Sequence, residues 1–94
     1  MHVHIVLVRL EDPGTRPECM RAMRSMEGRI DGMVGLECRA NELEAAESYD
    51  VMLRTTFVDR AAYESYRTDP VHVEVATLVR SLMSDAATLD WTPD

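Results

Sequence analysis

The side chains best equipped for chemistry in this chain are three imidazoles and a phenol: His2, His4, His72 and Tyr66. Histidine both takes and gives protons near neutral pH. His72 follows Asp69-Pro70-Val71, a helix start in which Asp caps the helix and Pro takes its first position. The positive end of the helix dipole there disfavours imidazolium, so the ring stays neutral and able to accept a proton. That placement suits a general base. Tyr66 offers a phenol that donates to an oxygen or orients His72. His4 stands in an apolar strand pattern, where an imidazole costs free energy unless it is hydrogen-bonded. The alternative is purely structural, with His4 and His72 bonded to one another or to backbone in a filled core.

Other chemistries find less support. His2-x-His4 places two imidazoles on one strand face and His72 could add a third, enough in number for zinc. No acidic partner to orient them is evident from the spacing, and His2 lies at a terminus prone to fraying, so no metal is expected. Cys19 and Cys38 stand apart rather than in a C-x-x-C pair, and read as reduced thiols packing like small hydrophobes. There is no G-x-S-x-G elbow and no Gly-rich phosphate loop, so no cofactor is expected. Met20, Met23 and Met26 read as core at helical spacing; lining a cleft, they would favour broad apolar ligands.

The elements that must position these groups follow from periodicity. His2 to Leu10 alternates Val3, Ile5 and Leu7 against His2, His4, Val6, Val8 and Leu10; both faces are largely apolar, which predicts a strand covered on both sides. Asp12-Pro13-Gly14 is a turn. Thr15-Arg16-Pro17-Glu18 has capping-box spacing and predicts a helix from Arg16 to Glu27, ended by Gly28 and Gly32. Met33 to Ala40 and Tyr49 to Val58 read as an antiparallel strand pair across the acidic loop Asn41 to Ser48. Asp59 caps a short helix, Arg60 to Tyr66. A further helix starts at Pro70, with Val71, Val75, Leu78, Val79 and Leu82 as its buried stripe. Ala86 to Trp91 closes the chain as a strand with Ala87, Leu89 and Trp91 on one face.

The order β-α-β-β-α-α-β predicts an α+β, ferredoxin-like fold: a four-stranded antiparallel sheet with helices on one face, in a single domain of 94 residues. Val3, Ile5 and Leu7 on the other face need a cover, and a second subunit is the economical one. Seventeen acidic against ten basic residues give a net charge of −7, which opposes nucleic-acid and anionic-membrane roles. The longest aliphatic run, Ile5 to Val8, is far short of a membrane span. No signal leader is evident, and the expected location is cytoplasmic.

These residues carry a resemblance. His4-Ile5-Val6-Leu7, Ile30-Asp31-Gly32-Met33, Tyr49-Asp50-Val51, Tyr63 to Tyr66, Asp69-Pro70-Val71-His72 and Leu89-Asp90-Trp91, in that order and spacing, resemble the stress-responsive dimeric α/β-barrel (Dabb) family over nearly the whole chain. The resemblance implies a homodimer whose two sheets face each other as a barrel, each subunit keeping a small-molecule cleft between sheet and helices. Many members have no assigned activity. One branch, plant polyketide cyclases of the olivetolic-acid type, performs a cofactor-free aldol cyclisation with a strand-one histidine, a tyrosine before the Pro-x-His turn and the histidine of that turn. His4, Tyr66 and His72 fall on those positions, and Trp91-Thr92-Pro93 is close to that branch's tail. The chain departs from the pattern at Val3, where Lys is frequent, at Asp69, where His is common, and at Met20, Met23 and Met26, which replace larger aromatics.

Two readings follow. One is a homodimeric binding domain without established catalysis, taking a small apolar, aromatic or polyketide ligand. The other is a cofactor-independent cyclase or isomerase, with His72 as general base assisted by Tyr66 and His4.

Overall fold

The computed structural model describes residues 1–94. In chain order it contains β1 (His2–Leu10), α1 (Arg16–Arg24), β2 (Met33–Ala40), β3 (Val51–Phe57), α2 (Arg60–Thr68), α3 (Pro70–Leu82) and β4 (Met83–Trp91). The strands form one antiparallel sheet in the order β2-β3-β1-β4, the ferredoxin-like α+β arrangement that the element order predicts. No helix is long and apolar enough to cross a membrane.

Side chains alternate across a strand, and β1 is central, so it sorts the molecule. Its Val6, Val8 and Leu10 meet the helices, and Val8 and Leu10 join Cys19, Met23, Met26, Leu53 and Phe57 in the core. The register places His4 between Thr55 of β3 and Asp90 of β4. On the opposite face Ile5, Leu7, Met52, Ala87 and Trp91 are only half-buried in the single chain, and Leu89 is 62% exposed. That bare apolar face is the one the sequence left without a cover.

Caps decide where helices start. The carboxylates of Asp59 and Asp69 accept from the amides of Ala62 and Val71, each at 2.8 Å, as expected of Asp caps. The Thr15 capping box does not form. The Thr15 hydroxyl donates to the Asp12 carbonyl at 2.7 Å, and the Asp12 carboxylate accepts from Gly14 N at 2.8 Å. Helical backbone therefore begins earlier, in the 3-10 turn Pro13–Thr15, and Asp12 is the cap. Helix α1 also ends at Arg24 instead of Glu27. Ser25 N bonds both the Arg21 and Ala22 carbonyls while its hydroxyl takes Ala22 O at 2.6 Å, tightening the ladder and ending it. Met26 and Ile30 stay buried beyond that point, so the apolar spacing outlasts the helix.

The last strand starts at Met83, three residues before the expected Ala86, with no loop after α3. Met83-Ser84-Asp85 has no strand pattern of its own. Pairing of Leu10 with Met83 and Arg9 with Asp85, with Ser84 as the extra residue of a bulge in β4, imposes the extended form.

Gly28 and Gly32 both have positive φ, 76° and 81°, the conformation that only Gly adopts cheaply. They differ in surroundings. A Cβ on Gly32 would lie 2.6 Å from Ala62 Cβ in α2, whereas one on Gly28 would meet nothing within 4 Å. Gly28→Ala is expected to cost about 1–2 kcal/mol for left-handed backbone alone, and Gly32→Ala about 1–3 kcal/mol more for overpacking. Urea unfolding of the two variants checks this; equal losses would mean that α2 yields freely at this contact.

Candidate functional site

A cavity of about 720 Å³ opens between the helix face of the sheet and α2 and α3. Its walls are mostly apolar, with Val6, Val8, Met23, Met26, Val75 and Val79 among them, and its polar side chains include His4, Tyr63, Tyr66 and His72. Of the four side chains singled out in the sequence, His4, Tyr66 and His72 line one cavity and His2 lies outside it. Met23 and Met26 form wall without plugging it, and Met20 lies outside it.

His4 is 8% exposed, and the strand register sets it beside Asp90. Its Nδ1 lies 2.7 Å from Asp90 Oδ1, and His2 Nε2 lies 2.8 Å from the same oxygen. Burial pushes the Asp90 carboxyl up, but the hydrogen bonds from His2 and His4 outweigh it and hold the group below its ordinary value. Asp90 is therefore ionised at pH 7 and can only accept, so both imidazoles donate to it. That fixes the neutral tautomer of His4: Nδ1 carries the hydrogen and Nε2 the lone pair. No protein group bonds His4 Nε2 and it is not sealed from solvent, whereas His2 Nδ1 is buried without a partner. The Tyr63 ring packs on both imidazoles, with centroids 4.7 Å from His2 and 4.9 Å from His4.

Two expectations change here. An acidic partner for the strand-one histidines exists, supplied by the far end of the chain. His2 does not fray: it is 6% exposed, held by Asp90 and Tyr63. Both imidazoles bond the one carboxylate oxygen, and no group of three such side chains is arranged to hold a metal ion.

His72 sits in the first turn of α3, where the Asp69 cap and Pro70 place it. Its Nδ1 donates to the Arg67 carbonyl at 3.2 Å, which leaves Nε2 as the lone pair of the neutral ring. Burial lowers its pKa, against the pull of that carbonyl, and the charges of Arg80 and His4 lower it further. The ring is neutral at pH 7, as the sequence suggested, but burial rather than the helix dipole is the main cause.

Tyr66 is buried, and its hydroxyl lies 3.9 Å from Met26 Sδ. Burial, with Tyr63 nearby, holds the phenol far above its ordinary pKa, so it is a neutral donor at any ordinary pH. It meets His72 ring to ring, with centroids 4.0 Å apart, instead of through its hydroxyl.

The arrangement thus presents two imidazoles, each tied through Nδ1 and free at Nε2, and a neutral phenol, in an apolar cavity. Such a set can take a proton from carbon and steady a developing oxyanion. His4 acts as a donor only once Nε2 is protonated, with Asp90 as its counter-ion.

Comparison with known proteins places the chain. The sequence pattern of Dabb, the stress responsive A/B barrel domain, matches residues 3–93. The chain belongs to this family. Its fold is shared with a dimeric protein of unknown function from Bacteroides fragilis (20% identity, TM-score 0.83, covering 98% of this chain and 95% of that one). An Arabidopsis thaliana protein matches at 20% identity and TM-score 0.86 over 100% and 96% of the two chains. The hydroxynitrile lyase of Passiflora edulis matches at 13% identity and TM-score 0.85 over 99% and 93%. At these identities the likeness is one of fold. No curated protein matches the Dabb chain in sequence.

Proposed function

We propose that this Dabb chain is a homodimer, joined through its bare sheet faces, that binds a small, mostly apolar or aromatic carbonyl compound in the cavity of each subunit. The observation that carries the reading is the convergence of His4, Tyr66 and His72 on one open, largely apolar cavity, the usual form of a small-molecule site. Dimeric relatives of the same fold support the assembly.

A second reading goes further, favoured by the anchoring of both imidazoles through Nδ1. It is a cofactor-independent aldol cyclisation of the kind performed by the plant cyclases that the sequence resembles. His72 Nε2 takes a proton from a carbon flanked by two carbonyls. The resulting carbanion forms the ring bond to a third carbonyl carbon, whose oxygen receives a proton from His4 in its protonated form, with Tyr66 donating to the enolate oxygen.

Turnover separates the two readings. Calorimetry with aromatic and polyketide-lactone probes, together with product analysis, on the natural chain and on His72→Ala is the test. Under the cyclase reading His72→Ala keeps the dimer and its saturable binding and loses turnover by about a hundredfold or more. Binding without turnover in the natural chain leaves the binding reading alone. Unchanged turnover in the variant removes His72 from the chemistry, and absence of saturable binding overturns the cavity as a ligand site.

A further inference from the structure

Besides its imidazoles, the cavity wall carries three charged side chains, Glu64, Arg67 and Arg80. Glu64 is 3.5 Å from Arg67 and 3.7 Å from Arg60, so those charges answer one another at the rim. Arg80 has no carboxylate partner and makes no side-chain hydrogen bond. In a chain of net charge −7 with seventeen acidic residues, the one uncompensated formal charge on the cavity wall is therefore positive.

Its position has direction. Arg80 follows His72 by eight residues on α3, about 12 Å along the helix axis. Side chains on a helix lean toward its N-terminus, which brings the guanidinium back toward the imidazole end. Its charge already reaches that ring, as the lowered pKa of His72 records after the effect of burial. Between the two lie Val75, Ala76 and Val79, all of them cavity wall. The cavity thus has a cationic end, an apolar middle and an imidazole end.

We propose that Arg80 anchors an ionised carboxylate of the bound molecule, so that the cavity takes an amphipathic carboxylic acid, its acid group at Arg80, its apolar or aromatic body along Val75 and Val79, and its far end at His4 and His72. Guanidinium is suited to this because its planar fork meets a carboxylate with two parallel hydrogen bonds. The inference rests on the cavity being a ligand site and adds the ligand's class. A competing role exists for Arg80: it stands in the last turn of α3, where any cation eases the exposed carbonyls. That role affects stability and has no bearing on which ligand binds.

The test is calorimetric titration with phenylhexanoate and phenylhexanol, which differ only in the acid group, using the natural chain, Arg80→Met and Arg80→Lys. The natural chain is expected to bind the acid about tenfold more tightly than the alcohol, the scale of one charge-assisted contact. Arg80→Met is expected to erase that preference by weakening the acid alone, leaving the alcohol within about twofold, and Arg80→Lys to keep part of it. Equal binding of the two probes by the natural chain, or a preference that survives in Arg80→Met, overturns the assignment while leaving the cavity a ligand site. If neither probe binds, the ligand-site reading falls and the assignment with it.

Discussion

A Leu89→Asp variant is expected to sediment as a monomer at concentrations where the natural chain sediments as the proposed homodimer. Leu89 lies on the outer face of β4, opposite Ile5 in the register and flanked on the same face by Ala87 and Trp91. It is the most exposed apolar side chain of that face, so it has the most area left to bury against a second sheet. A two-fold interface carries every substitution twice. Each copy forfeits about 1.5–3 kcal/mol of apolar burial and brings a carboxylate that must be desolvated without a partner. The two copies together cost at least about 6 kcal/mol, which raises the dimer Kd by roughly ten-thousandfold. The helix face is untouched, so far-UV circular dichroism keeps its native form at low temperature. Thermal stability falls, because so small a domain buries little surface alone. A variant that still sediments as a dimer would place the interface on another face.

The layers of this fold were legible because the strongest signals are local. Alternation in β1 separated Val3, Ile5 and Leu7 from His4, Val6 and Val8, which set apart the face that holds the cavity and the face left bare at Ile5 and Leu7, although Val3 turns out to be buried within the chain itself. Asp69-Pro70 is a local start signal as well, and it put His72 on the first turn of α3 without help from the rest of the chain. What the sequence concealed depends on contacts between distant segments. Asp90 lies between Leu89 and Trp91 on a closing strand whose apolar residues point the other way. Its role appears only when β4 is laid antiparallel beside β1, which sets Asp90 opposite His4. The same pairing holds His2 in place at a terminus that looked free to fray, and draws Met83-Ser84-Asp85 into a strand for which those residues have no propensity. A topology drawn with its register could have found Asp90, since an antiparallel last strand returns to the start of the first. The early end of α1 had a subtler cause, one serine hydroxyl competing for a helix carbonyl.

Asp90→Ala is expected to unsettle both ends of the strand-one cluster, and the effect divides into stability, tautomer and pH dependence. In the natural chain Asp90 Oδ1 accepts from His2 Nε2 and His4 Nδ1, two imidazoles with side chains only 7% and 10% exposed. Removing the acceptor leaves two largely buried donors, each costing about 1–3 kcal/mol. The Asp90 side chain is itself 35% exposed, so water enters the gap and the total falls near the lower bound, about 2 kcal/mol. Nitrogen NMR of the histidines reads the tautomer directly. The natural chain shows His4 with hydrogen on Nδ1, and the variant shows it moving to Nε2. Under the aldol reading the loss of Asp90 removes the counter-ion of the protonated His4 that supplies the proton, with losses on the order of a hundredfold in turnover. The pH dependence follows from the lowered pKa of Asp90. Its folded-state value lies below the ordinary 3.8, so its contribution to stability is complete above that pH and disappears as the pH falls through the lowered value. Asp90→Ala lacks this acid limb, and urea midpoints measured across it converge with those of the natural chain at low pH. Asp90→Asn keeps an oxygen that accepts but no charge, which separates the two effects: the tautomer holds while the acid limb vanishes. Identical His4 nitrogen signals in the natural chain and in Asp90→Ala would show that Asp90 does not orient the ring, and the case for His4 as a poised proton carrier would go with it.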